Sequence, residues 1–583
     1  MKDWRIHLTF GLFALGFIVI NFRLLKIQVF QTDYYKALAE QQHWSYTELT
    51  AGRGRIFSQD GFPLVINIRN YLLYAEPKNI ADAENAAGRI IPLIFPSENE
   101  TMSDKERKDA EEQLKDKLST GQAWVPIAHG LSPDQKQRIE DLKIEGLGFT
   151  PETDRFYPEG QLAAHLLGFL GSDETGNKRG YYGLEGYYDG DLRGRSGELA
   201  EELGATGETI LSGGFREVAP NDGSDLVLTI NRSIQFMVEE KLEKAVNQYG
   251  AKSGTVIIMD PKTGAVLASA SFPAYNPARY NEVFQSGEEA ANPADVLIPK
   301  SFLDPAISIT YEPGSVMKAV TMAAALDTGL ITPKTEFNDS GPLKVSDYYI
   351  HTWNNQYHGR ENMVEVLQHS CNIGAAWVGL KLGAANLREY LIRFGLDTTT
   401  KIDLEGETTG ITRSLLEWQA IDVATAAFGQ GLTVTPIRLV SIFSAIANDG
   451  LMMRPYVITE IRHPKETIKL RPREERRVIS SVSSKTLVDM LTAAVEGGEA
   501  KFYVLKRYLI AGKTGTAQIP KEGGYAKETN TTFVGFLSKA PKFVMLTKLE
   551  EPTASIYAAE TAVPLWMEIA ADLINFYGIP PDR

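Results

Sequence analysis

One short stretch constrains this chain more than any other: Tyr311-Glu312-Pro313-Gly314-Ser315-Val316-Met317-Lys318. Pro313-Gly314 punctuates the chain as a turn and delivers Ser315 to an apolar helix, which runs through Ala319, Met322 and Ala324 and is predicted to stop near Gly329. Residues three apart on a helix share a face, with Cβ atoms roughly 5–6 Å apart. Ser315 and Lys318 are therefore predicted neighbours. A serine hydroxyl is a poor nucleophile at neutral pH, and a neutral lysine in reach can act as its base. The unpaired N–H groups of a helix start suit a developing negative charge. Taken alone, the same letters also describe an N-cap serine followed by a solvated lysine.

Two later stretches tip the balance towards chemistry. Ser370-Cys371-Asn372 lies between two helical patterns, 363–369 and 373–382. Lys513-Thr514-Gly515-Thr516 follows the apolar run 508–511, read as a strand. Gly512-Lys513-Thr514 is no phosphate loop, because that pattern requires a glycine where Arg507 stands.

Length and charge narrow the class. With 583 residues the chain is too long for one ordinary domain. A net charge of −14 argues against nucleic acid as the main partner. A single cysteine, Cys371, excludes an internal disulfide, and a buried small side chain is the reading preferred for it. His351, His358 and His369 have no acidic partner at a telling spacing and are read as structural or surface groups. Asp339 and Asp347 have no diagnostic metal spacing, so neither a metal nor any other cofactor is assigned.

The N-terminus points to a membrane. Basic Lys2 and Arg5 precede an apolar run over 6–22, and Arg23 and Lys26 follow it. That length is at the short end of what spans a bilayer. The small-x-small triplet Ala37-Leu38-Ala39 lies too far downstream for a cleavage site, so an uncleaved anchor over 6–28 is predicted. Basic residues in the leading tail place residues 1–5 in the cytoplasm and the bulk of the chain outside.

Downstream, 27–44 reads as an amphipathic helix, 64–68 and 71–74 as two strands, and the charged segment 98–120 as a solvated helical insertion. Gly183-Leu184-Glu185 and the Gly/Arg-rich turn 191–197 suggest tight packing with buried ion pairs. Pro220-Asn221-Asp222-Gly223 marks a domain boundary. Beyond it come a strand at 225–230, a helix at 234–249 and a hairpin of strands 254–260 and 265–271. A helical block carries the first two motifs and includes a helix that starts at Thr435-Pro436. Strands at 508–511, 531–537 and 542–549 and a closing helix at 560–577 complete a mixed α/β (α+β) domain.

Ser-x-x-Lys, Ser-x-Asn and Lys-Thr-Gly, in that order, resemble the signature of penicillin-binding proteins and related β-lactamases. Arg53-Gly54-Arg55-Ile56, Arg155-Phe156-Tyr157-Pro158-Glu159-Gly160 and Gly183-Leu184-Glu185 resemble the pedestal of the class B, monofunctional members. Glu140-Asp141 is followed by no histidine, so the glycosyltransferase motif of the bifunctional class is missing there. Ala163-Ala164-His165-Leu166-Leu167-Gly168 looks more like the division (septal) type than the elongation type.

The resemblance implies an elongated pedestal over 29–218, a transpeptidase domain over 219–578 with a mixed sheet flanked by helices, and a short tail over 579–583. It implies a D,D-transpeptidase that cross-links peptidoglycan stem peptides through an acyl-enzyme on Ser315. Lys318 takes the serine proton, Ser370 relays a proton to the leaving amine, and Asn372 holds the substrate amide. Lys513 adds positive charge beside Ser370. Thr514, Gly515 and Thr516 form the substrate-binding strand, with both threonines on the terminal carboxylate. The backbone N–H groups of Ser315 and Thr516 form the oxyanion hole. β-Lactams, a membrane-embedded glycan polymerase and division proteins are the implied partners. The alternatives left open are an elongation-type enzyme, a carboxypeptidase or β-lactam hydrolase, and a silent scaffold.

Overall fold

The computed structural model describes residues 3–36, 44–95, 104–173, 176–202, 204, 210, 214–285, 290–292, 295–352, 356–411, 414, 417–521 and 523–583. The chain forms two compact units, one of residues 1–53 and 193–223, the other of residues 54–192 and 224–583.

The first unit holds the apolar helix and a small sheet. Asp3–Phe30 is continuously helical, with its last turn a π-helix over Lys26–Phe30, and is long and apolar enough to cross a membrane. None of the side chains in Asp3–Leu25 is buried. The expected helix over 27–44 does not reach its end. Trp44–Leu49 is a strand that pairs antiparallel with Gly197–Glu202, which in turn pairs with Phe215–Val218; residues 37–43 lie outside the described residues. Cross-strand partners far away in sequence decide this, and a local helical period cannot reveal them.

In the second unit a seven-stranded sheet carries the pedestal's core elements. The two strands read at 64–68 and 71–74 are one strand, Pro63–Ala75, paired along its length with Leu147–Phe156. Arg69 and Asn70 interrupt its apolar pattern, but they stay in register opposite Thr153 and Glu152. Asn70 Nδ2 also donates to Asp154 Oδ2 over 3.0 Å. Asp225–Leu228 continues this sheet, parallel to Ile56–Phe57 and antiparallel to Ile458–Arg462. The charged segment is a helix, Asp104–Leu118, but it is not solvated all round. Leu114 and Leu118 are buried with Ile90 and Ile91 of the helix Ala83–Ile94.

Glu185 is in a buried ion pair, but its partner is Arg155 of the strand Leu147–Phe156, not an arginine of the turn 191–197. Arg155 Nε donates to Glu185 Oε1 over 2.8 Å and its NH1 donates to Asn67 Oδ1 over 2.7 Å. Their side chains are 4 % and 0 % exposed, so each charge relies on the other for its solvation. His165 is also buried, with its Nε2 on the Ser301 carbonyl, and burial pushes its pKa down to about 4, leaving the ring neutral.

The catalytic half is built on a five-stranded antiparallel sheet in the order Val266–Phe272, Ser253–Met259, Val544–Glu550, Gly524–Leu537, Ile510–Lys521. One apolar cluster packs the helices Arg232–Tyr249 and Ala562–Tyr577 against it around Trp566, whose Nε1 donates to the Met545 carbonyl over 2.9 Å. A second cluster holds the all-helical block: Lys318–Asp327, Met363–Gln368, Asn372–Arg393, Pro436–Ala447 and Ser481–Gly497. The site lies where the edge strand Ile510–Lys521 meets this block.

Glu185→Ala leaves the Arg155 guanidinium buried without its counter-charge. It is expected to cost about 3–5 kcal/mol and to lower the thermal unfolding midpoint of the detergent-solubilised chain. Glu185→Gln, which keeps an acceptor, is expected to lose less.

Candidate active site

Ser315 sits in a 3-10 turn, Gly314–Met317, that leads directly into the helix Lys318–Asp327. Gly314 has φ of 54° and its N–H donates to the Gly429 carbonyl over 3.1 Å, so a glycine conformation shapes the turn. Lys513, Thr514, Gly515 and Thr516 lie within the edge strand, not after it. Lys513 pairs with Val534 and Thr516 with Thr531 of the neighbouring strand. Strand pairing thus extends through Lys513 and Gly515, residue types depleted in strands. Gly515 passes the turn so closely that a Cβ there would lie 2.8 Å from the Pro313 carbonyl oxygen. A glycine is required for the strand to touch the nucleophile's turn.

The second motif closes the site. Ser370 follows the helix Met363–Gln368 in a left-handed conformation, φ 54°, and Cys371 caps the helix Asn372–Arg393 by accepting the Gly374 N–H on Sγ. This reversal turns the Ser370 hydroxyl towards both lysines. Lys318 Nζ lies 2.9 Å from Ser315 Oγ, 2.8 Å from Asn372 Oδ1 and 3.2 Å from Ser370 Oγ, and it also donates to the Ser370 carbonyl. Lys513 Nζ donates to Ser370 Oγ over 3.0 Å and to Thr514 Oγ1 over 3.1 Å. Ser315, Lys318, Ser370, Asn372, Lys513 and Thr514 therefore form one connected network. Gly515 and Thr516 line its strand side.

Burial sets the electrostatics. Lys318 is fully buried and Lys513 nearly so. Desolvation, then the positive charge of Lys513, holds the Lys318 ammonium well below the ordinary lysine range. Burial likewise lowers Lys513, against the pull of Glu499. A neutral Lys318 keeps two N–H donors for the Ser370 carbonyl and Asn372 and has a lone pair for the Ser315 hydroxyl proton. Ser315 is only half-buried, so its hydroxyl stays accessible. Cys371 is 2 % exposed, and burial pushes its thiol up to about 12, which removes it from nucleophilic chemistry at neutral pH.

Glu499 carries no motif and is not legible in the sequence. It lies in a 3-10 turn, Glu499–Phe502, after the helix Ser481–Gly497, and its Oε2 accepts the Thr514 hydroxyl over 2.8 Å. Glu312 is a second such residue. Its Oε1 accepts from Gly431 N over 2.9 Å and its Oε2 from Tyr525 Oη over 3.1 Å, fastening the hairpin of the edge strand beside the Ser315 turn. The histidines also depart from expectation, because acids surround two of them. His369 Nδ1 contacts Glu361 Oε1, and His358 Nδ1 lies 3.6 Å from Asp339 Oδ2. Folding brings these acids together from a hairpin whose pairing the spacing did not reveal.

A hydroxyl beside a desolvated lysine, with a second lysine reached through a shared serine, defines a serine acyl-transfer enzyme with a lysine base. The comparisons with known proteins agree. Residues 254–571 match the penicillin-binding protein transpeptidase domain, and residues 48–228 match the penicillin-binding protein dimerisation domain. The chain belongs to the penicillin-binding protein family, in its class B form. It is 30% identical to stage V sporulation protein D of Bacillus subtilis, over 99% of this chain and 86% of that one. It is 27% identical to the peptidoglycan D,D-transpeptidase FtsI of Escherichia coli, over 100% of this chain and 93% of that one. A peptidoglycan synthetase from Bifidobacterium adolescentis shares the fold with a TM-score of 0.71 at 24% identity, covering 93% of this chain and 98% of that one.

With Lys318 as base, its active form is the deprotonated amine, and acylation of Ser315 is expected to rise as pH increases through the Lys318 pKa. Because that pKa is lowered, the rising limb falls well below the ordinary lysine range. Lys513→Gln removes the neighbouring positive charge and is expected to move the limb to higher pH. Glu499→Gln removes a negative charge that raises both lysines, and is expected to move it lower. Stopped-flow acylation across pH reads both shifts.

Proposed function

We propose that this chain, a peptidoglycan D,D-transpeptidase, cross-links stem peptides through a Ser315 acyl-enzyme during septal wall synthesis. The observation that carries the mechanism is the 2.9 Å contact between Ser315 Oγ and a fully buried Lys318. Ser315 attacks the carbonyl of the penultimate D-Ala while Lys318 takes its proton. The C–N bond to the terminal D-Ala then breaks, and Ser370, placed between both lysines, passes a proton to the leaving amine. An amine of a second stem peptide attacks the ester and restores Ser315.

Other groups hold the substrate. Asn372 orients Lys318 and takes the substrate amide. The Ser315 and Thr516 backbone N–H groups stabilise the oxyanion, a term often worth roughly 10²–10³ in rate for each donor. Thr516 Oγ1 accepts the Ala558 N–H over 3.1 Å, which leaves its hydroxyl proton for the terminal carboxylate. Thr514, expected on the terminal carboxylate, gives its one hydroxyl proton to Glu499 and accepts from Lys513, so its role is to orient Lys513 beside that carboxylate. β-Lactams, as mimics of the D-Ala-D-Ala end, acylate the same serine.

The septal assignment is supported by the division-type name of the FtsI relative and by the sporulation-type name of the Bacillus relative. The helix Asp3–Phe30 supports a single membrane anchor, with residues 1–5 cytoplasmic and the bulk outside. Residues 29–218 serve as the pedestal and 219–578 as the transpeptidase domain. A lipid-linked glycan polymerase in the same membrane is the partner we propose, by analogy with the family.

Labelling the detergent-solubilised chain with a fluorescent penicillin, followed by peptide mass mapping, is expected to find a stable adduct on Ser315. Ser315→Ala abolishes it, and Lys318→Ala slows it by about 10²–10⁴, the usual contribution of a general base. A folded chain with no adduct sinks the enzyme reading. Fast turnover of the penicillin favours a hydrolase instead. Depletion in the native cell is expected to give filaments; rounded cells would overturn the septal role.

A further inference from the structure

A third buried lysine of the catalytic half, Lys548, takes no part in the chemistry. It lies on Val544–Glu550, the middle strand of the five-stranded sheet, and its side chain is 5 % exposed. Strand register ties it to the active site. Gly515 of the edge strand stands opposite Thr532, Thr532 opposite Lys548, and Lys548 opposite Thr255. Directly opposite residues share a face of a sheet, so one row runs from the Lys513–Thr516 segment to the middle strand. The Ser315 turn rests on the end of that row. A Cβ at Gly515 would lie 2.8 Å both from the Pro313 carbonyl oxygen and from Val316 Cγ2.

Tyr311 is the strut between this row and the turn. Its N–H donates to the Val434 carbonyl over 3.1 Å, and its own carbonyl accepts the Val434 N–H over 3.0 Å, which fixes the chain two residues before Pro313. Its ring reaches down to the sheet. Tyr311 Oη lies 3.1 Å from Thr532 Oγ1, and Lys548 Nζ stands over the ring, 4.7 Å from the centroid. Tyr311, Thr532 and Lys548 are all buried.

The charge on Lys548 needs a physical account, because an apolar side chain of the same volume fills such a space without the desolvation cost. Two partners meet it. One is the Tyr311 ring face, an attraction that strengthens out of water. The other is Glu550 Oε2, 3.6 Å away, which also accepts the Ser253 hydroxyl over 2.7 Å. Burial lowers the Lys548 pKa against the pull of Glu550, and the Lys548 charge helps hold the Glu550 carboxylate below its ordinary range despite burial.

We propose that Lys548 is a positioning residue for acyl transfer: its ammonium clamps the Tyr311 ring onto Thr532 and so sets the spacing between the Ser315 turn and the strand of Thr516. The two backbone N–H groups assigned to the oxyanion, those of Ser315 and Thr516, lie on opposite sides of that spacing. Such donors act only when about 2.7–3.1 Å from the developing oxyanion. A slide of the turn along the strand therefore slows the chemical step while leaving the first encounter with substrate intact. The effect on acylation rests on the transpeptidase reading; the clamp itself does not.

The test uses the full chain in detergent. Stopped-flow mixing with a fluorescent penicillin separates the dissociation constant of the first complex from the acylation rate. Lys548→Met keeps the bulk and removes the charge. It is expected to slow acylation roughly 10-fold, less than the 10²–10³ of a lost oxyanion donor, with the dissociation constant unchanged. Tyr311→Phe, which cuts the link to Thr532, is expected to slow the same step, and the double variant to be no slower than the worse single one, since both act through one contact. Hydrogen exchange over 311–318 and 510–517, measured on a Ser315→Ala background, is expected to quicken in each variant. Unchanged acylation or unchanged exchange in these variants would overturn the proposal. A rate that falls in step with the thermal midpoint, with the two substitutions multiplying independently, would make Lys548 a structural charge only and overturn it equally. If Lys548→Met does not fold, Tyr311→Phe carries the same test. A wild-type chain that forms no adduct sinks the transpeptidase reading, while the exchange rates still judge the clamp.

Discussion

The burial of Lys318 is the constraint on which the rest of the catalytic half depends. A lysine ammonium out of water is expensive, and the chain lowers that cost by favouring the neutral amine. Desolvation and the second cation, Lys513, push in the same direction. In the mechanism we propose, the same neutral amine is the base for Ser315. Stability and reactivity would then share one device: the helical block and the edge strand close over Lys318 and favour its neutral form.

That device needs its neighbours held in place. Asn372 and the Ser370 carbonyl take the two N–H groups of Lys318, so the remaining lone pair faces Ser315. Ser370 can do this only from a left-handed backbone conformation, which its flanking residues must enforce. Gly515 allows the edge strand to pass within contact of the Ser315 turn, and Glu312 ties the far end of the same hairpin through Tyr525. Glu499 supplies negative charge behind Lys513 and Thr514 and offsets part of the repulsion between the two lysines. The result is a site with one neutral amine at Lys318, a second lysine at Lys513 and one facing acid, Glu499, behind it.

The pedestal follows the same logic with different residues. Arg155 and Glu185 are buried together and anchor the long strands Pro63–Ala75 and Leu147–Phe156 to the short helix Gly183–Tyr187. The sequence showed that arginine, glutamate and glycine recur there, but not which pairs would be dry. Its charged helix was legible as a helix, because a 3.6-residue period is local. Its buried face was not, because Leu114 and Leu118 are two apolar residues among many charges.

What the sequence determined by itself was local. Ser315 and Lys318 are three residues apart, and helical geometry alone makes them neighbours. The motif order, the helix starts, the hairpin at Pro261-Lys262-Thr263-Gly264 and the long apolar N-terminal run were equally readable, since each depends on residues a few positions apart. Tertiary structure decided what depends on distant parts of the chain meeting. Lys318, Ser370 and Lys513 come from three separate segments, and only packing places one hydroxyl between two amines. Packing also lowers the pKa of Lys318, buries Cys371 and gathers Asp339, His358, Glu361 and His369 around it. The physical reason is range: backbone propensity and periodicity act over a few residues, whereas desolvation and charge act through space on whatever the fold brings near.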